Sequence, residues 1–199
     1  MRAASILSFL TLGALASASA LAVESRSSPS EAYCLYGYGE GVGGLTLYYS
    51  EGNAVIGKKA PPNATEVSCK SASPFHHHIG YLYGSHAVTP SSGGSIVGNP
   101  RNGTSKSFSD QELFIPTSSS NHQIGFTSNS TGNSHQVTNK FVWYGHFLLV
   151  ETETGEYTSL FYAKKTEYED LYFLQWNVTD EDDGDFISLS MRSIAPSNA

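Results

Sequence analysis

Alternation of apolar and polar residues, rather than helical spacing, dominates the chain after residue 31. Short runs rich in Tyr, Phe, Val, Leu and Thr recur between turn residues, and none has the period of an amphipathic helix. The pattern predicts strands at residues 32–38, 45–50, 54–56, 67–71, 76–83, 111–115, 122–127, 141–151, 157–164, 171–177 and 186–192. We therefore expect an all-β chain, folded as a single-domain antiparallel β-sandwich or jelly-roll-like barrel with long polar loops.

Glycine marks several of the turns between these strands. Residues 50–53, Ser-Glu-Gly-Asn, predict a hairpin, and Thr154-Gly155 predicts another, because glycine adopts the positive φ that tight hairpins need. Residues 39–44, Gly-Glu-Gly-Val-Gly-Gly, match a dinucleotide-binding fingerprint letter for letter. That fingerprint needs a helix at its last glycine, and here a strand is predicted. We interpret the segment as a glycine-rich turn and expect no cofactor.

The run at 141–151 is long and apolar on both of its faces. Strict alternation along it would place Phe141 and Trp143 on the same face as Phe147 and Leu149. We expect a central strand there, because only a strand covered on both sides is apolar throughout. Residues 84–139 are instead rich in Ser, Gly and Asn and predict long surface loops around two or three short strands.

The N-terminus has the pattern of a removable export signal. Arg2 precedes an apolar run at 6–16, and Ala18 and Ala20 are the small residues that a signal peptidase recognises. The run is too short to cross a bilayer, and no second run of that length follows. We expect a secreted, extracellular protein without a membrane span. The predicted segments are a signal peptide at 1–20, a flexible leader at 21–31 and one β domain at 32–199.

The cysteines and the glycosylation triplets support export. Cys34 and Cys69 are the two cysteines of the chain. In an oxidising compartment they predict one disulfide, with two buried free thiols as the alternative. Four Asn-x-Ser/Thr triplets predict glycosylated surface loops. The triplets begin at Asn63, Asn102, Asn129 and Asn177.

The charge of the chain bears on its partners. Eleven Lys and Arg residues stand against 18 Asp and Glu residues, for a formal net charge of −7 at pH 7. A nucleic-acid partner requires a basic surface that displaces counterions. We therefore expect no nucleic-acid partner.

Histidines supply a candidate metal site. His76 and His78 would share one face of a predicted strand, and with His86 they are candidate ligands for zinc or copper. A solvated histidine cluster is the favoured alternative. The acidic segment at 180–185 lacks the alternation of an EF-hand loop, and we interpret it as a charged hairpin loop.

Two pairs of carboxylates are candidates for glycan hydrolysis. Glu151 with Glu153, and Glu167 with Glu169, have the spacing that places two acids on one strand face. Each pair lies at a strand end beside a turn, where acids are ordinarily solvated. The sequence thus permits catalysis without supporting it, and we name no catalytic residue.

Aromatic residues are the more informative signal, with 12 Tyr, 10 Phe and two Trp. Tyrosine combines a flat apolar face with a hydroxyl, which suits stacking on sugar rings or packing at a protein interface. Burial in the sheet is the alternative, because tyrosine is common in strands. The candidate residues of a binding face are Tyr36, Tyr38, Tyr48, Tyr81 and Tyr83.

Several stretches resemble a family. Residues 34–50 and 54–57, the run at 141–151 with 159–163, and the ending at 188–198 are similar to small secreted proteins of filamentous ascomycete fungi that are effector-like and have no assigned activity. The resemblance implies a fungal source and action at a host or cell surface. We expect a non-enzymatic protein that binds a host or cell-wall glycan or protein. The alternatives are a small polysaccharide-active hydrolase and an extracellular metal-binding protein that uses the His76–His78 cluster.

Overall fold

The computed structural model describes residue 29 and residues 31–61, 63–72, 94–101, 108–117, 120–128, 134–179 and 185–197. All regular structure in these residues is β. The strands are β1 (Tyr36–Gly39), β2 (Val42–Ser50), β3 (Asn53–Gly57), β4 (Thr65–Ala72), β5 (Ser95–Pro100), β6 (Gln111–Pro116), β7 (Gly125–Thr127), β8 (Gln136–Val137), β9 (Phe141–Tyr144), β10 (Phe147–Glu151), β11 (Tyr157–Thr158), β12 (Phe161–Lys165), β13 (Leu171–Trp176) and β14 (Phe186–Arg192).

Ten of these strands close into an antiparallel barrel, with the other strands outside it. The order around the barrel is β1-β2-β4-β5-β6-β7-β3-β13-β12-β14, and pairing of β14 with β1 completes the circuit. The predicted all-β class is confirmed, and of its two forms the barrel is the one observed. β8, β9, β10 and β11 lie outside the circuit and pair with β6, β10, β14 and β10, respectively.

The hairpin of β2 and β3 pairs along both of its edges with more than one strand. Thr46 pairs with β1 on one edge of β2 and with β3 on the other, and Tyr48 pairs with β4 and β3 in the same way. β2 therefore serves two circuits along its length. The first ring consists of β1, β2, β3, β13, β12 and β14, and the second ring consists of β2, β4, β5, β6, β7 and β3.

The core is one continuous apolar cluster that fills both rings. Alternation along each strand directs every second side chain inward, as for Leu45 and Leu47 of β2. Burial of an aliphatic or aromatic side chain of this size stabilises the fold by about 1.5–3 kcal/mol. The largest fully buried residues include Leu35, Leu47, Ile56, Ile96, Phe108, Leu113, Phe161 and Leu174.

Tight turns form where glycine predicts them. Ser50 pairs with Asn53, and the two residues between them, Glu51 and Gly52, have φ values of 50° and 88°. Positive φ at both positions is the pattern of a type I′ hairpin, so the predicted turn is confirmed. The segment at 39–44 also forms a two-residue hairpin, between β1 and β2, rather than a nucleotide-binding loop.

The prediction of one central strand at 141–151 is wrong. A hairpin interrupts it, because Tyr144 pairs with Phe147 and Gly145 between them has a φ of 56°. Glycine with positive φ at the first turn position is the pattern of a type II′ hairpin. The turn reverses the chain and shifts the alternation, so that Phe147 is exposed rather than sharing the buried face of Trp143.

The hairpin of β9 and β10, the outer hairpin, packs onto the core. Trp143 Nε1 donates a hydrogen bond of 3.0 Å to Ser71 Oγ. The Trp143 ring meets the Tyr33 ring edge-on, with centroids 5.1 Å apart. The buried side chains of the outer hairpin are Phe141, Trp143, Leu148 and Val150.

Candidate binding surfaces

Three of the five tyrosines predicted to form a binding face lie on described strands. A Cβ on Gly37 would contact Ile56 in the core, so the neighbouring Tyr36 and Tyr38 face outward. Tyr48 also faces outward but is 6 % exposed. Burial is the largest cause that raises the pKa of Tyr36 and of Tyr48.

The other two tyrosines, Tyr81 and Tyr83, lie outside the described residues. Of the predicted face, Tyr36 and Tyr38 therefore remain as partly exposed candidates on the outside of β1.

Tyr38 belongs to a stack of three side chains from three strands. The guanidinium carbon of Arg192, in β14, lies 4.9 Å from the centroid of the Tyr38 ring and 4.5 Å from that of the Phe147 ring. We call Tyr38, Arg192 and Phe147 the arginine stack. Tyr38 is itself held by a hydrogen bond of 2.8 Å from its hydroxyl to the carbonyl oxygen of Ile194. Contacts from β1, from β10 and from the segment after β14 therefore hold the side chains of the stack in place.

Two pockets adjoin the arginine stack. The first, of about 400 Å³, is lined by all three stack residues together with His146 and Ile194. Large apolar side chains are exposed beside it, with Tyr144 at 52 %, Phe147 at 39 % and Ile194 at 49 %.

The second pocket, of about 460 Å³, is more polar. It is lined by Tyr38 and Arg192 and by the serines Ser159, Ser188 and Ser190. The arginine stack therefore presents aromatic rings, a guanidinium and hydroxyl groups within one surface.

The Nε atom of Arg192 is buried and has no hydrogen-bond acceptor among the described residues. A guanidinium carries five donors in a planar fork, and flanking rings hold the plane of that fork. An unpaired buried donor is unusual in folded proteins. Because Nε itself is shielded from solvent, a ligand in either pocket that Arg192 lines would bond to the Nη donors at the end of the fork.

A separate cleft of about 810 Å³ contains one of the predicted carboxylate pairs. Glu151 and Glu153 both line it, together with Lys140, His122 and Trp176. The sequence suggested only solvated acids beside a turn, whereas folding brings an aromatic ring, a histidine and a lysine to the same cleft. The second pair is divided, because Glu167 lines a different pocket that Glu169 does not line.

The tautomer of His122 follows from its neighbour in the cleft. His122 Nδ1 lies 2.9 Å from the backbone carbonyl oxygen of Trp176. A carbonyl oxygen can only accept a hydrogen bond, so Nδ1 carries the proton and Nε2 is the basic nitrogen of the neutral ring. The backbone fixes this orientation further, since Trp176 N donates to His122 O at 2.8 Å.

The predicted disulfide is not present in the structure, where Cys34 and Cys69 are free thiols. Tyr33 pairs directly with Cys69, so these two side chains share the inner face, and Cys34 alternates to the outer face near Tyr36. Side chains that leave opposite faces of a sheet cannot be bridged without backbone movement. Burial, followed by the nearby Cys34, raises the pKa of the Cys69 thiol.

Two of the four glycosylation triplets begin at described residues. Asn63 and Asn177 are both exposed and have φ values of 65° and 51°, a conformation that asparagine tolerates better than most residues. Each lines a pocket. Asn102 and Asn129 lie outside the described residues.

The candidate metal ligands His76, His78 and His86 also lie outside the described residues. Within the part of the chain that the structure describes, no three His, Cys, Asp or Glu residues are grouped closely enough to hold a metal ion. The same part of the chain contains no helix that is long and apolar enough to cross a membrane.

Comparisons with protein-family models, with curated proteins and with solved structures found no match to this chain. Sequence reasoning missed Arg192 and Phe147, since neither belongs to a motif. Alternation in β14 places Arg192 on the face opposite the buried Met191, and this is the one local signal that pointed to an outward arginine.

Proposed function

We propose that this chain is a secreted fungal protein without catalytic activity, effector-like or associated with the cell surface, that binds a host or cell-wall glycan through the arginine stack. The observation that carries the proposal is one guanidinium in contact with two aromatic rings and lining two pockets. Export is supported by the N-terminal pattern and by the glycosylation triplets.

The chemistry of the surface favours a glycan as the ligand. A sugar ring has apolar C–H faces edged by hydroxyl groups. The rings of Tyr38 and Phe147 suit the faces, and the donors of Arg192 suit the hydroxyl or carboxylate oxygens. Serine hydroxyls in the neighbouring pocket add donors and acceptors. Because the stack is already ordered, little side-chain freedom is lost when a ligand binds.

A glycan array tests this proposal. The mature protein is compared with Phe147→Ser and Arg192→Lys, which remove a ring and the planar fork, respectively. We expect both variants to bind the glycan that the parent protein recognises about tenfold more weakly than the parent does, equivalent to about 1.4 kcal/mol. Tyr168→Ser, at another exposed aromatic, should bind like the parent protein. Equal binding by all four proteins, or binding of the parent protein to no glycan on the array, would contradict the proposal.

A second candidate, a polysaccharide-active hydrolase, is favoured by one observation. Glu151 and Glu153 line a cleft that also contains the Trp176 ring and the ordered His122. Paired carboxylates are the groups that most glycoside hydrolases use. Incubation with a panel of polysaccharides, with Glu151→Gln and Glu153→Gln as controls, decides this. Release of sugars by the parent protein alone supports the hydrolase, and no release from any polysaccharide excludes it.

A further inference from the structure

A second aromatic surface lies on the outside of the first ring. Register pairs align Tyr48, Val55 and Phe173 in one row across β2, β3 and β13. Leu174 faces the core, so Phe173 faces outward, and it is 37 % exposed. Tyr168, in the loop before β13, is 58 % exposed. Exposed aromatic rings clustered around one pocket are characteristic of a contact site.

The pocket at these rings is lined by two loops, of which the structure describes residues 58–61, 63–64 and 166–170. An ion pair of 2.9 Å joins the loops, from Lys58 Nζ to Asp170 Oδ2, and Lys58 N donates to Asp170 O at 3.3 Å. The pocket measures about 470 Å³ and is lined by Asn63 from the first loop, Tyr168 from the second and Phe173 from the sheet. The loops therefore bring the start of a glycosylation triplet beside two exposed rings.

The geometry points to an occupant that the chain itself carries: we propose that Asn63 bears an N-linked glycan whose first sugars pack on Phe173 and Tyr168. Asn63 is exposed, and its triplet, Asn-Ala-Thr, enters β4 at Thr65. A turn with a hydrogen bond of 3.1 Å from Ala64 N to Pro61 O presents the asparagine. The C–H faces of N-acetylglucosamine suit stacking on aromatic rings.

The modification requires a co-reactant of the secretory pathway, a lipid-linked oligosaccharide diphosphate. Asn63 Nδ2 forms a bond to the anomeric carbon of the oligosaccharide, the bond from that carbon to the diphosphate oxygen breaks, and Nδ2 loses one proton. No oxidation or reduction occurs. This inference rests on the export part of the proposed function. It also assigns the two aromatic surfaces different roles, since the Asn63 glycan covers one and leaves the arginine stack open.

The test is a thermal double-mutant cycle on the glycosylated protein. The full chain is expressed behind the export signal of a eukaryotic host, so that it enters the secretory pathway whatever its own N-terminus does. Mass spectrometry of glycopeptides should find Asn63 occupied. Asn63→Asp, which leaves a residue that tolerates the same turn, should lower the melting temperature by about 2–4 °C. In a Phe173→Ser/Tyr168→Ser background the same substitution should leave the melting temperature almost unchanged, because the aromatic rings on which the sugars pack are absent.

Two controls isolate the contact. Asn63→Asp in chain produced in bacteria, which carries no glycan, measures the effect of the substitution alone. Asn177→Asp removes the other described triplet and should show the same melting shift with and without the two rings. An unmodified Asn63 in the exported chain, or an equal shift in both backgrounds, would overturn this inference. The glycan-array result on the arginine stack would be unaffected, so failure of the two proposals can be told apart.

Discussion

Phe147 of β10 lies directly opposite Arg192 of β14, with the guanidinium carbon 4.5 Å from the centroid of the ring. This register pair joins the outer hairpin to the wall of the barrel. On the other edge of β14, Arg192 pairs with Tyr36 and lies over the ring of Tyr38. One arginine therefore connects strands from the beginning, the middle and the end of the chain, and the candidate binding surface exists only in the folded barrel.

Arg192→Ala should lower the free energy of unfolding by about 1–2 kcal/mol, because each of its two cation–π contacts contributes about 0.5–1 kcal/mol. Arg192→Lys should recover part of this loss, since the charge remains and the planar fork does not. Urea unfolding followed by tryptophan fluorescence measures both changes.

Arg101→Ala is the matched control for these variants. Arg101 forms an ion pair with Glu66 and is 51 % exposed. Exposed pairs of this kind contribute about 0–1 kcal/mol. A loss at Arg192 no greater than the loss at Arg101 would show that the aromatic contacts of the arginine stack contribute nothing.

Local turn chemistry was the part of the fold that the sequence predicted best. The hairpin between Ser50 and Asn53 depends on two adjacent residues with positive φ, and a glycine makes this visible in the sequence. The turn at Gly145 was missed because the apolar residues on either side continue the alternation of a strand. A single glycine within such a run is compatible with a bulge as well as with a turn, and only the pairing of Tyr144 with Phe147 in the folded chain distinguishes the two.

Closure of the barrel and assembly of the candidate site could not be predicted. Pairing of β1 with β14, as in Gly37 opposite Met191, joins the two ends of the domain. The residue pattern within either strand does not indicate which strand it pairs with. Tyr38 was predicted as a binding residue from its type and its strand. Arg192 and Phe147 were not, because each acquires its role from the partners that the register gives it.

Gly98 is a position where the barrel has no room for a side chain. A Cβ there would lie 2.9 Å from Phe108 Cζ and from Phe126 Cε1 and 3.1 Å from Val67 Cγ1. Gly98→Ala should therefore destabilise the protein by about 1–3 kcal/mol, the usual cost of overpacking a core. Thermal unfolding followed by circular dichroism measures the loss.

Gly43→Ala provides the comparison for Gly98→Ala. A Cβ on Gly43 would have no atom within 4 Å. This variant should remain within about 0.5 kcal/mol of the parent protein. Similar losses at the two glycines would show that strand propensity, rather than packing in the second ring, determines the effect.

Cys34 and Cys69 should react with thiol reagents at very different rates. Cys34 is partly exposed, whereas Cys69 is fully buried and its thiol has a raised pKa. We expect one thiol to be labelled in the native protein and the second only after unfolding, and Cys34→Ser should remove the fast reaction. If instead no thiol reacts in unfolded protein before a reductant is added, the disulfide predicted from the sequence is present.

Alkaline pH should destabilise the barrel through Tyr33 and Cys69. Burial is the first cause that raises the pKa of each above its ordinary value, which is 10.0 for the phenol and 9.0 for the thiol. Above pH 9 the unfolded chain therefore releases protons that the folded chain keeps. The stability that these groups contribute is complete below about pH 9 and is lost as the pH rises toward their folded values.

Tyr33→Phe separates the two contributions, because it removes the phenol while keeping the ring that meets Trp143. Urea unfolding at several pH values between 8 and 11 should show a decline in the parent protein of up to about 1.4 kcal/mol per pH unit for each released proton. The decline above pH 10 should be shallower in Tyr33→Phe, whereas Tyr168→Phe, at an exposed tyrosine, should follow the parent protein. Identical pH profiles for the parent and Tyr33→Phe would mean that the buried phenol ionises as readily as an exposed one.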